Sequence, residues 1–151
     1  MDLVFKKELH KICLNTIEEK IKLLVSEIEQ IQADMNSETK SSAGDKYETG
    51  REMLQSEMTK KSHQMEQALK DQRLLRALNT NTLKDHVEQG SLVKTLEGNY
   101  YIAAPIGSLD IKETKCFAIS AVSPLAQAMM GLRKGDEYLF RGVGKKIVDI
   151  I

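Results

Sequence analysis

The stretch SSAGDKYETG, residues 41–50, interrupts a helical pattern that otherwise fills the first half of the chain. It contains Gly44 and Gly50, the only glycines before residue 80, and no proline occurs in that half. Glycine adopts backbone conformations that other residues avoid and is disfavoured inside helices, so it marks a place where the chain can reverse. The stretch therefore predicts a turn between two long helices.

Apolar residues on either side of this turn repeat at alternating spacings of four and three, the spacing of a coiled-coil seam. Before the turn they are Ile17, Ile21, Leu24, Ile28, Ile31 and Met35. After it the rhythm continues in Leu54, Met58, Met65, Ala68, Gln72 and Leu75, with Lys61 as an interruption. Each stripe needs a partner and the nearest is its neighbour along the chain, so an antiparallel helical hairpin is predicted. An arm of roughly 30 residues would be roughly 45 Å long.

From about Gly90 the chain changes to short runs typical of β-strands, namely SLVKTL, NYYIAA, KCFAIS, EYLF and KKIVDII. Between the third and fourth runs, SPLAQAMMG offers Ser123 as an N-cap, Pro124 at the first helical position and Gly131 just past the helix end. One short helix packed on a small sheet is therefore predicted. The predicted class is α+β, with a coiled-coil hairpin at 1–80, a linker at 81–89 and a sheet domain at 90–151.

Composition narrows the possible functions. The 151 residues suffice for one or two small domains, but not for a large enzyme with a deep cleft. The 22 basic and 22 acidic residues cancel, which excludes a bulk electrostatic attraction to nucleic acids. The two cysteines lie far apart in sequence and indicate free thiols in a reducing compartment. No run approaches the ~20 apolar residues of a membrane span, so we expect a cytoplasmic protein without membrane contact.

Residues 119–140, ISAVSPLAQAMMGLRKGDEYLF, resemble the C-terminal domain of the bacterial Gre transcript cleavage factors. In that family an IS…SPL segment leads into a short helix, which is followed by GDE and a final strand pair. The turn adds a second similarity, because the family carries Gly-Asp-x-x-Glu at its hairpin tip and this chain has Gly44, Asp45 and Glu48 at that spacing. The next residues, Thr49 to Glu52, diverge from the family pattern.

The resemblance implies a fold and a role. The sheet domain would be FKBP-like and would dock at the rim of the RNA polymerase secondary channel, with the hairpin inserted towards the active centre and the nascent RNA 3′ end. The factor would be a monomeric accessory protein and not itself an enzyme, with no stably bound cofactor. Candidate docking residues lie on the short helix and just after it: Ser123, Pro124, Leu125, Met129, Arg133 and Lys134.

The tip carboxylates have a chemical rationale and a structural alternative. The resemblance implies that Asp45 and Glu48 share Mg²⁺ with the polymerase, and at a spacing of three in a first helical turn they would project to the same side. The same spacing is also a capping box, in which the acids satisfy backbone amides. Lys46 and Arg51 are candidates for contacts to RNA phosphates, and Tyr47 for stacking on a base.

Three other functions remain open at this point. The divergence after Glu48 permits a secondary-channel transcription regulator that does not stimulate cleavage. The hairpin seams permit a coiled-coil adaptor protein that pairs with other helices. A peptidyl-prolyl isomerase is suggested by analogy with the FKBP-like fold alone, and fold does not carry function.

Overall fold

A computed structural model describes residues 1–40 and 45–151, and for 38–40 and 45–47 it describes the main chain alone. The chain begins with two long helices, α1 (Leu3–Lys40) and α2 (Asp45–Ala77). It divides into two compact units, one formed by Ile17–Gln72 and the other by Met1–Thr16 with Arg73–Ile151. This division differs from the predicted boundary near residue 80, because the first part of α1 belongs to the unit that contains the sheet.

In the unit Ile17–Gln72, α1 and α2 pack along the predicted seam within one chain. The α1 residues Ile17, Leu24, Ile31 and Met35 are buried, as is Ala68 of α2. Lys61, which interrupts the second seam in the sequence, forms an ion pair with Glu27 at 2.9 Å, and both side chains are largely covered. The polar interruption is thus matched by an acid on the facing helix.

The other unit contains a six-stranded mixed sheet and a short helix. The strands are β1 (Leu92–Thr95), β2 (Asn99–Ala103), β3 (Gly107–Ile111), β4 (Thr114–Ser120), β5 (Glu137–Phe140) and β6 (Val143–Ile150). Their order in the sheet is β3-β4-β2-β1-β6-β5, with β2 and β4 parallel and the other neighbours antiparallel. The short helix α3 spans Pro124–Met129. The predicted α+β class, a helical hairpin followed by a sheet domain with one short helix, is confirmed.

The sheet uses both of its faces, because side chains alternate along each strand. One face carries Val93, Ile102 and Ile147, which pack with Ala126 and Met129 of α3. The opposite face carries Tyr101 and Cys116, both fully buried. The register aligns these positions across the strands and fixes which residues share a face.

The start of α1 lies on this second face. The Nδ1 atom of His10 forms a hydrogen bond of 2.8 Å with the Tyr101 hydroxyl, and the Lys6 Nζ donates one of 2.9 Å to the main-chain oxygen of Ile151. Glu8 forms an ion pair with Lys112 in the turn between β3 and β4. The polar residues of the first α1 turns therefore tie the helix to the sheet.

Residues 81–89, predicted as a linker, are partly integrated into the sheet unit. Val87 is fully buried, and its amide donates to the Leu132 carbonyl oxygen at 2.8 Å. His86 forms an isolated β-bridge with Arg133. This segment is thus fastened to the chain that follows α3.

Strand β3 was absent from the sequence prediction. Its sequence, GSLDI, begins with glycine, and the alternation of Leu109 and Ile111 with Ser108 and Asp110 spans only four residues, which is too short a signal to have marked it as a strand. Among the described helices, none has a segment long and apolar enough to span a bilayer.

Candidate functional site

The turn region places the predicted carboxylates at the start of α2. Residues 41–44, including Gly44, lie outside the described residues, and α2 begins at Asp45. The helical main chain puts Asp45 and Glu48 one turn apart on neighbouring positions of the same helix face. The side chains of Asp45, Lys46 and Tyr47 lie outside the described part, so their metal-binding and RNA-binding roles stay predictions.

The described side chains near the start of α2 line an open hollow of about 310 Å³. They are Glu48, Arg51, Glu52 and Gln55. Their spacing of three, four and seven residues from Glu48 puts them on one face of the helix. Glu48 and Arg51 are both exposed, so a carboxylate and a guanidinium are presented side by side to solvent. Such a surface suits contacts to a cation or to phosphate groups.

The chemistry of these residues limits how Mg²⁺ would be held. Within the part of the chain whose side chains are described, no three or more His, Cys, Asp and Glu residues are grouped to hold a metal ion. Two carboxylates on one helical turn are fewer ligands than an all-protein cage provides, but Mg²⁺ keeps several waters and is commonly held by one or two carboxylates. Exposed Glu48, one turn after Asp45, fits an ion shared with a second protein.

The second predicted site is built on α3, whose ends match the sequence prediction. Ser123 has an extended backbone (φ −65°, ψ 150°), and its Oγ accepts a hydrogen bond from the Ala126 amide at 3.3 Å. The Ser123 hydroxyl also donates to the Ser120 carbonyl oxygen at 2.7 Å. Gly131, with φ +79°, follows the C-cap Met130 in the left-handed conformation that terminates a helix. The helix is therefore fixed at both ends by local contacts.

A groove of about 700 Å³ lies beside α3. Its lining residues are Ile119, Ser123, Pro124, Leu125, Ala128, Leu139, Phe140 and Arg141. Three of the predicted docking residues, Ser123, Pro124 and Leu125, thus share one concave surface. The lining is mostly apolar, and a volume of this size is typical of binding clefts.

Met129 does not belong to that surface, which corrects its predicted docking role. Its side chain is fully buried and packs in the core with Val93, Ile102 and Ile147. In a short amphipathic helix, only the residues that face away from the sheet can reach a partner. Met129 faces the sheet, so it supports the helix from beneath.

The two predicted docking cations lie beyond α3 and are both paired. Arg133 donates to Asp85 at 3.0 Å, and Lys134 to Asp149 at 3.0 Å. Hydrogen bonds from His86 and Arg133 lower the pKa of Asp85, and the hydrogen bond from Lys134 lowers that of Asp149. The charges of Arg133 and Lys134 are therefore partly neutralised within the sheet unit, and a partner would have to compete with these acids.

The opposite wall of the groove was not predicted from the sequence. Leu139, Phe140 and Arg141 follow α3 by ten residues or more, and Phe140 carries the Arg141 guanidinium 5.1 Å from its ring centroid. EYLF was interpreted as a strand alone. The sequence signal for this wall is Leu139, an apolar residue at a position of EYLF that strand alternation directs to solvent.

Comparisons with known proteins yield structural likeness at low similarity. No protein-family model matches the chain, and no curated protein matches its sequence. The crystal structure of GreA factor homolog 1 (Gfh1) of Thermus thermophilus aligns at 15% identity and a TM-score of 0.38, over 91% of this chain and 94% of that one. A structure described as the transcription factor Gfh1 aligns at 17% identity and a TM-score of 0.37, over 91% of this chain and 92% of that one. Values this low do not establish a family relationship.

Proposed function

We propose that the protein is a transcription elongation factor that binds RNA polymerase, inserts its helical hairpin into the secondary channel and stimulates cleavage of backtracked transcripts. The observation that carries the proposal is the start of α2 at Asp45. It puts the two acids of the Gly-Asp-x-x-Glu motif in the first turn after the chain reversal, with Glu48 exposed. The motif in residues 119–140 supports the same assignment.

Asp45 and Glu48 would hold Mg²⁺ together with the polymerase. When bound, the ion would supply Lewis-acid activation of a water molecule for phosphodiester hydrolysis. This chain would contribute two hard oxygen ligands on a rigid helical turn, which suits a cation that is otherwise held weakly. Lys46 and Arg51 would contact RNA phosphates, and Tyr47 would stack on a base near the 3′ end.

The α3 surface would serve as the polymerase docking site. Pro124 is exposed, and Ser123 and Leu125 are partly exposed along the same groove. Arg133 and Lys134 would exchange their bonds to Asp85 and Asp149 for acids on the polymerase. Such an exchange contributes more to specificity and association rate than to affinity.

The decisive experiment is a transcript cleavage assay on stalled, backtracked polymerase complexes. Asp45→Asn and Glu48→Gln each remove a carboxylate charge at nearly constant shape, and each should lower the stimulated cleavage rate by about tenfold or more. Glu66→Gln is a matched control, because Glu66 is an exposed acid further along α2. If all three variants stimulate cleavage equally, Asp45 and Glu48 do not hold the metal ion.

A regulator that binds polymerase without stimulating cleavage is the second candidate. Arg51 supports it, because this cation lines the same hollow as Glu48 and Glu52 and would compete with a metal ion for their carboxylates. In that case the protein would co-purify with polymerase and alter elongation, but add no cleavage. An adaptor protein would instead form concentration-dependent oligomers and leave polymerase unbound.

A further inference from the structure

Strand β5 is the last strand of the sheet and has one unpaired edge. Its turn to β6 consists of Arg141 and Gly142, both with positive φ (52° and 76°), the signature of a two-residue hairpin. In such a hairpin the residues next to the turn, Phe140 and Val143, exchange both of their main-chain hydrogen bonds. Hydrogen-bonded and non-hydrogen-bonded pairs alternate along antiparallel strands, so the N–H and C=O groups of the next residue, Leu139, point away from β6.

The outward groups of β5 have no strand to pair with in the described chain. β5 is hydrogen-bonded to β6 alone, and within residues 1–40 and 45–151 no other main-chain partner is found for Leu139 or Glu137. The Leu139 side chain is 73% exposed. Proteins usually cover or charge such an edge, because it is a template for an added strand.

Concave surfaces flank this edge. Leu139 lines the groove beside α3, which has a volume of about 700 Å³, and also a smaller hollow of about 330 Å³ with Glu137, Tyr138 and Gly144. Successive side chains of a strand point to opposite faces. A strand added along β5 would therefore place alternate side chains in the two hollows.

The groove also has a defined charge. Its described lining contains one ionic side chain, Arg141, and no carboxylate. The remaining lining is apolar apart from the Ser123 hydroxyl, and the ring of Phe140 lies beneath the Arg141 guanidinium. A large apolar side chain with an acidic one two positions away, on the same face of an added strand, would complement this surface.

We propose that β5 and the groove beside α3 form a strand-addition site for an extended peptide of a partner protein. The peptide pairs its main chain with Leu139 and Glu137, seats an apolar side chain against Leu125 and Phe140, and presents an acidic residue to Arg141. This mode of recognition draws affinity from main-chain hydrogen bonds and specificity from the alternate side chains. It concerns the sheet domain and does not depend on the action of the hairpin. Because the proposed function also uses the groove beside α3, the peptide and RNA polymerase would compete for it.

A second copy of the chain fits the site less well. If two β5 strands paired antiparallel about Leu139, the residues entering the larger groove would be Tyr138 and Phe140 of the other copy. Both side chains pack in or against their own hydrophobic core. The groove would stay unfilled, which favours a peptide as the occupant.

The test uses the full chain and a synthetic fluorescein-labelled peptide of about ten residues, in which threonine alternates with isoleucine and a glutamate replaces the isoleucine two positions after the central one, so that both face the same groove. Binding is followed by fluorescence anisotropy, and amide hydrogen exchange by NMR. The expected result is binding that slows exchange at Leu139 and Glu137. N-methylation of the peptide amides that pair with β5 should weaken binding by about tenfold or more.

Leu139→Pro is the variant that tests main-chain pairing along β5 directly. Proline is tolerated in an edge strand where its missing N–H would face solvent, so the variant should fold but lose the outward donor. Leu139→Ala keeps that donor and should bind more tightly than Leu139→Pro, and Leu96→Ala, at an 85% exposed leucine in another turn, should bind like wild type. Arg141→Glu should shift the preference to a peptide with lysine in place of glutamate.

Three results would overturn the proposal. The first is equal binding of the N-methylated peptide, and the second is a bound state without protection at Leu139. The third is sedimentation of the free protein as a dimer that Leu139→Pro dissociates, which would assign the edge to a second copy.

Discussion

The ammonium group of Lys6 donates a hydrogen bond of 2.9 Å to the main-chain oxygen of Ile151, and the lysine side chain is fully buried. Burial lowers the pKa of Lys6, the nearby charge of Lys84 also lowers it and Glu88 opposes the shift, which leaves the pKa at about 8. A buried cation costs free energy, which the hydrogen bond offsets only in part. The start of α1 is thus held on the sheet by a contact that depends on pH.

Lys6→Met should change how stability depends on pH. Between pH 8 and pH 10.5 the unfolded chain keeps a proton on Lys6 that the folded chain has lost, so this residue makes the unfolding free energy rise with pH in that window. The rise attributable to Lys6 is at most about 3 kcal/mol. The variant lacks it, and its stability relative to wild type should therefore fall as the pH rises.

The difference between the two proteins is the quantity to measure, by urea unfolding at several pH values. Burial raises the pKa of Cys13 to about 12 and also raises that of Tyr101, so these groups act in the opposite direction in both proteins and largely cancel in the difference. A difference that stays constant from pH 7 to pH 10.5 would show that Lys6 does not titrate in this window.

Tyr101→Phe should weaken the contact between the start of α1 and the sheet while leaving the aromatic ring in place. The variant deletes the hydroxyl that lies 2.8 Å from the His10 Nδ1 atom and leaves that nitrogen half-buried without its partner. The expected loss is about 1 kcal/mol of unfolding free energy. Tyr100→Phe, at the neighbouring position on the other face, is the control and should cost less, because Tyr100 is partly exposed. Equal losses in the two variants would contradict the assigned role of the hydrogen bond.

The docking of α1 on the sheet was not predictable from the sequence, and the reason is physical. Lys6, His10 and Cys13 occupy one face of the helix, yet two of them are polar, so the face does not appear as an apolar stripe. Their burial depends on partners in Tyr101 and Ile151, which are remote in the chain. By contrast, the seam of the hairpin and most strands follow from local periodicity and were predicted.

The α3 site likewise combines features that local sequence predicts with features that depend on residues remote in the chain. Its N-cap Ser123 and terminating Gly131 were identified because capping uses neighbouring residues. Its groove was only half predicted, since Leu125 and Phe140 lie on facing walls that the folding of the chain brings together. Met129 was misplaced because an apolar residue on so short a helix gives no sequence signal of which face it occupies.

The ion pair between Glu27 and Lys61 should stabilise the hairpin only as a pair. Glu27→Ala leaves the Lys61 ammonium in the seam without its acid, and we expect a loss of about 1 kcal/mol or more. Replacing both residues by leucine should restore stability to the wild-type level or above, because a well-packed apolar pair avoids the desolvation cost. Thermal and chemical unfolding measure both effects.

The exposed pair of Glu19 and Lys22 is the matched control for this experiment. Their charged atoms are 3.7 Å apart, and both side chains are about three-quarters exposed (76% and 74%). Glu19→Ala should change the unfolding free energy by less than about 0.5 kcal/mol, since water and salt screen such pairs. If Glu27→Ala were as mild, Lys61 would not depend on its acid.

Thiol reactivity should report the detachment of α1 from the sheet. Cys13 on α1 and Cys116 on β4 are both fully buried, and burial raises the pKa of each thiol, that of Cys13 to about 12. The reactive species is the thiolate, so the folded protein at pH 8 should react with Ellman's reagent about a thousandfold more slowly than the chain unfolded in guanidinium chloride.

In the Cys116→Ser variant, Cys13 is the remaining cysteine, so the labelling rate of Cys13 can be measured by itself. Tyr101→Phe should then speed labelling of Cys13 more than Tyr100→Phe does, because only the former removes a bond between α1 and the sheet. Labelling of Cys13 in the native protein at the unfolded rate would show that the start of α1 is not held against β4.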